Sequence, residues 1–93
     1  MRNIFIVDAH IVDSNGAFHY IDDYPKTFDS NNYQGDVDKT KKRAEGDLSE
    51  QWGAFCKRDD RMIQTVSLTD VFGNVYVQKS MGNFPEEQAS NQE

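Results

Sequence analysis

Residues 36–57, DVDKTKKRAEGDLSEQWGAFCK, limit what this chain can fold into more than any other stretch. At about 100° per residue, Val37, Ala44, Leu48, Trp52 and Phe55 fall on one stripe with Gln51 at its edge, which predicts an amphipathic helix. Asp36 and Asp38 stand at its start and Lys57 and Arg58 at its end. Each is opposite in sign to the nearer pole of the helix dipole. No other segment is long enough to cover a sheet, so the remaining elements must be arranged to bury this stripe.

On either side the apolar period falls to two. In residues 3–13, Phe5, Val7, Ala9 and Ile11 share one parity, while Ile4, Ile6, Asp8, His10 and Val12 share the other. The first set is the core candidate, being free of His and of charge. Asn15-Gly16 reads as a two-residue type I′ turn leading into a second strand over residues 17–22. That register sets Phe18 across from Asp13 and Tyr20 across from Ile11, both on the core face. Residues 22–35 form a connection rich in Asp, Asn, Pro and Gly. It holds a short helical turn near residues 30–33, capped by Asp29, and Asp36 caps the main helix. A third strand begins at Met62, with Met62, Val66 and Leu68 facing in and Ile63, Thr65, Ser67 and Thr69 facing out. A turn at residues 72–75 leads to a fourth strand over residues 75–81, with Val75 and Val77 directed at the core.

The order ββαββ predicts an α+β fold: a four-stranded, mostly antiparallel sheet with one long amphipathic helix packed on one face. If the first and fourth strands lie side by side and parallel, the plan resembles that of β-grasp domains; a simple meander is the other order. Residues 1–83 make a single α+β domain, and residues 84–93 read as a disordered acidic C-terminal tail.

Composition narrows the function. The chain has 93 residues, of which 37% are hydrophobic, but six Phe, four Tyr and one Trp supply enough buried area for a folded core. The single cysteine, Cys56, excludes an intramolecular disulfide. A net charge of −6 argues against direct binding of nucleic acid or of an anionic membrane. The N-terminal apolar run stops at Asp8, short of a signal peptide or a membrane span, so the expected location is cytoplasmic.

No chemistry emerges from the motifs. His10, His19 and Asp8 offer imidazole and carboxylate donors for zinc, but without an established ligand spacing they read as polar residues on an exposed sheet face. Asp22, Asp23, Asp29, Asp36 and Asp38 do not match the register of a calcium loop. Cys56 has no readable His–acid partners, and Ser14 and Ser49 have no nucleophile-elbow context. No catalytic, cofactor or metal residue is assigned, and the expectation is a non-enzymatic domain.

Two surfaces remain as interface candidates. Gly46 and Gly53, with Ser49 between them, lie opposite the helix's apolar stripe, and each glycine costs about 1 kcal/mol relative to alanine in a helix interior. A groove for a second backbone would compensate. On the second face of the sheet, Ile4, Ile6, Val12 and Ile21 share the parity of His10 and His19 as an apolar patch. The leading expectation is therefore a small domain that contacts another protein or a second copy of itself. The alternative is an acidic inhibitor, a nucleic-acid mimic whose carboxylates engage a nucleic-acid-binding protein. Lys39, Lys41, Lys42 and Arg43 interrupt that acidic run.

Overall fold

A computed structural model describes residues 2–57 and 62–82. Five strands, a short 3-10 turn and one helix follow in the order β1 (Ile4–Val12), β2 (Phe18–Tyr20), β3 (Lys26–Asp29), the turn Ser30–Tyr33, α1 (Val37–Cys56), β4 (Ile63–Asp70) and β5 (Val75–Met81). The fold is α+β, with a single long helix on one face of an antiparallel sheet. The acidic segment 84–93 lies outside the described residues.

β1 is the hub. Phe5 to Val12 pair with β4 along one edge, and the two ends of the strand pair with β3 and β2 along the other. β5 extends the sheet beyond β4, and every pairing is antiparallel. Neither the β-grasp order nor the meander is adopted, because the first strand sits beside the strand that follows the helix. The reason lies in the burial. Phe5, Val7, Ala9 and Ile11 on β1 and Val66 and Leu68 on β4 are all at most 4% exposed, so pairing these two strands concentrates the apolar surface beneath the helix. A meander would have put the short, exposed β2 in the middle.

The helix closes that core with Ala44, Leu48 and Phe55, while Val37 and Trp52 pack at its margin. Thr40 is also buried, which its polarity conceals in sequence; its hydroxyl donates to the Asp36 carbonyl at 2.7 Å. Asp36 caps the helix by accepting from the Lys39 amide at 3.0 Å, and Asp29 caps the preceding turn from the Asn31 amide at 2.9 Å. Cys56, expected at the edge of the buried stripe, is exposed.

Three differences from the sequence reading matter for the site. First, residues 22–35 are not only a connection, since they contain β3, which pairs with Ile4 to Val7. Second, the first turn has three loop residues, not two. Asp13 and Ala17 pair through the Asp13 amide at 3.0 Å, and Gly16 takes a φ of 85° after the Asp13–Gly16 turn. This is the three-residue hairpin with glycine in the left-handed position. One added loop residue slips the register by one and exchanges the two faces of β2. Phe18 lies opposite Val12, Tyr20 opposite His10, and His19 opposite Ile11. Phe18 and Tyr20 therefore point away from the helix, at 58% and 64% exposed, and Ile21 packs against the core instead.

Third, the ladder between β4 and β5 carries a bulge. Thr69 pairs with Val75 but Leu68 with Val77, so Tyr76 is the extra residue. Val77 keeps its place at the core, whereas Val75 turns to the far face and is 58% exposed. Tyr76 meets the edge of Phe5 at 5.7 Å between ring centres.

Candidate functional site

With one helix and one sheet, the fold covers only one side of the sheet among the described residues. The open side is built on the second parity of β1. Ile6 lies opposite Thr69, Asp8 opposite Ser67, His10 opposite Thr65 and Val12 opposite Ile63 along β4. On the other edge, β2 brings Tyr20 beside His10 and Phe18 beside Val12. The three rings cluster, with His10 stacked on Phe18 at 5.1 Å and Tyr20 at 6.2 Å from His10.

The edge strand is broken opposite Asp8. Pairing with β2 stops at His10, and pairing with β3 resumes only at Val7. Between them the chain leaves the ladder in a turn closed by the Tyr24 amide on the Ile21 carbonyl at 3.1 Å, with Asp23 at a φ of 77°. An open depression of about 690 Å³ results. Ile6, Asp8, Ser67 and Thr69 form its floor, and Tyr20, Tyr24 and Pro25 its wall.

Two features set the electrostatics of this depression. One oxygen of Asp8, Oδ1, is closed to solvent and has no hydrogen-bond partner among the described residues. The other, Oδ2, lies 3.7 Å from His10 Nδ1, beyond hydrogen-bonding distance. The wall, by contrast, is anchored. Tyr24 donates its hydroxyl to Asp47 Oδ2 at 2.7 Å, Lys26 Nζ reaches Asp47 Oδ1 at 2.9 Å, and the same ammonium lies 4.9 Å from the Tyr24 ring centre. Burial, reinforced by Asp47, pushes the Tyr24 phenol well above the ordinary tyrosine range, so it stays a donor.

Of the residues expected on the second sheet face, Ile4, Ile6, His10 and Val12 share it. His19 and Ile21 do not, because the register slip moves them to the side of Ile11. His19 bonds Asp13 Oδ2 at 2.7 Å, and that bond holds the Asp13 carboxylate below its usual range. His10 and His19 thus project from opposite sides of the sheet, and among the described residues no three His, Cys, Asp or Glu side chains gather as metal ligands. Gly46 and Ser49 are exposed on the outer side of α1 and Gly53 is half-buried; a methyl group added at either glycine would touch nothing. Two members of the acidic run are already engaged, Asp36 as a cap and Asp29 both as a cap and paired with Arg2 at 2.6 Å.

Phe18, Tyr20, Tyr24, Pro25, Ser67 and Thr69 are the site residues that sequence reasoning missed. A signal for the first two was present. Asp13-Ser14-Asn15-Gly16-Ala17 matches Asp70-Val71-Phe72-Gly73-Asn74, and an aspartate three residues before the glycine suits the longer loop.

The architecture is thus that of a two-layer α+β domain with its helix on one side only. Compared with family models, curated proteins and solved structures, the chain finds no match. Among the described residues, no helix is long and apolar enough to cross a membrane.

Proposed function

We propose that the chain is a cytoplasmic, non-enzymatic domain that binds another protein against the open face of its sheet. The observation that supports this reading is the cluster of His10, Phe18 and Tyr20 beside Val12 and Ile63, on the face the helix leaves uncovered. Large rings held outward on a rigid sheet lose little freedom on binding, and aromatic anchors carry much of the energy of protein interfaces. The occupant is a protein surface with an apolar centre; the acidic chain favours a partner with basic groups around it. Gly46, Ser49 and Gly53 lie on the opposite side of the molecule and serve as the control surface.

The test compares the wild-type chain with Phe18→Ser/Tyr20→Ser and with Gly53→Leu as baits in lysate from the cells that make it. Proteins recovered are then purified and titrated directly. A partner whose affinity drops by about tenfold or more in the sheet variant and is unchanged in the helix variant supports the reading. Partners held equally by the sheet variant, or lost only with Gly53→Leu, overturn it. Salt separates this reading from an acidic mimic of nucleic acid. A contact with an apolar centre resists added salt, whereas a mimic's complex weakens steeply.

A further inference from the structure

We infer that the depression at the break in the edge strand seats a lysine or arginine side chain of the bound protein, its cation on Asp8 and its stem against Tyr20 and Tyr24. This rests on the sheet face being the binding surface. Asp8 is the one acidic residue in the row Ile4, Ile6, Asp8, His10, Val12, and one of its oxygens already lacks both water and a donor. A partner laid over this face would remove water from the other oxygen as well. A carboxylate buried that way is strongly disfavoured unless a cation comes with the partner.

Among the described residues, no lysine or arginine pairs with Asp8. Lys26, across the ladder from Val7, is held by Asp47 at 2.9 Å, and Arg2 is held by Asp29. His10 stands 3.7 Å away and is stacked on Phe18. The walls suit a basic side chain rather than a bare metal ion. Tyrosine faces attract organic cations and accept an aliphatic stem, and the Ser67 and Thr69 hydroxyls give an ammonium or guanidinium further acceptors. Tyr24 is fixed by its bond to Asp47, so the wall exists before the ligand arrives. Asp22 and Asp23, both exposed in the adjoining turn, add negative potential at the rim.

The probes are the acetylated methylamides of lysine, arginine and norleucine, with spermidine as a free polycation, titrated into the full chain and followed by amide NMR. The lysine or arginine probe should saturate in the millimolar range with shifts at Asp8, Tyr20, Ser67 and Thr69, and norleucine should not. Asp8→Asn, nearly identical in shape, should weaken the cationic probes about fivefold or more. Tyr20→Leu, at an exposed position, should also weaken them and serves if the first variant fails to fold. Absence of saturation, equal binding by Asp8→Asn, or tight spermidine binding that leaves the lysine and arginine probes without effect overturns the inference. Titrating Asp8→Asn against the protein partner keeps the two failures apart. If partner binding is lost with Phe18→Ser/Tyr20→Ser but unchanged by Asp8→Asn, only the inference falls. If the sheet variant binds as the wild type does, the reading beneath it falls.

Discussion

Asp13 and Asp70 do the same work at the two hairpins. Each carboxylate accepts the amides two and four residues further on, Asn15 and Ala17 in one case and Phe72 and Asn74 in the other. Asp70 also accepts from Asn74 Nδ2 and from the Tyr76 hydroxyl, and this set of donors, the Asn74 side chain foremost, holds its pKa at about 2 against an ordinary 3.8. Because the folded value is the lower one, the carboxylate stabilises the fold at pH above its unfolded value. That contribution disappears as pH falls through about 2. Asp13 and Asp29 are shifted the same way, by His19 and Arg2 respectively. The carboxyl carbon of Asp70 should titrate with a midpoint near 2 by NMR. Melting temperature should fall over that acid window, with a smaller fall in Asp70→Ala. The caps Asp29 and Asp36 were legible in the sequence because their bonds span only two or three residues. The role of Asp13 was not, since Asn15-Gly16 satisfies the rules for a shorter turn equally well.

At the scale of elements, legibility followed length. Twenty residues of helix repeat their stripe over several turns, so α1 and its buried apolar residues Ala44, Leu48 and Phe55 can be placed from spacing alone. Four residues of β3 offer only two positions per face, beside a proline, too few for an alternating pattern to stand out. β2 was found, but its facing depended on one loop residue, and with it went the assignment of His19 and Ile21. The glycines of the two elements should respond in opposite ways to alanine. At Gly16, where φ is 85°, Gly16→Ala should destabilise by about 1 kcal/mol even though nothing crowds the position. Gly46 has helical geometry and open space, so Gly46→Ala should stabilise by about 1 kcal/mol. Urea denaturation of both variants reads the two signs directly.

For the molecule as a whole, parity in the sequence identifies the buried face of β1 and β4, but not which strands are neighbours. That choice is made between strands on either side of the helix, by how much apolar area each can place under Phe55, Leu48 and Ala44. Phe55, at 1% exposed, is the largest fully buried side chain among the described residues, and Phe55→Ala should cost about 3–5 kcal/mol, read as a lower urea midpoint. A loss of that size is a large part of what a domain of this length possesses.

The ladder between β1 and β4 reaches from Phe5 to Asp70 and thereby ties the first strand to one made only after the helix. A growing polypeptide emerging from the ribosome will have completed its first strand and its helix long before the strand that joins them is available. Until then Phe5, Val7 and Ile11 have no neighbour on that edge. Their burial waits until the chain has been made through Asp70, and the domain closes late and cooperatively rather than piece by piece.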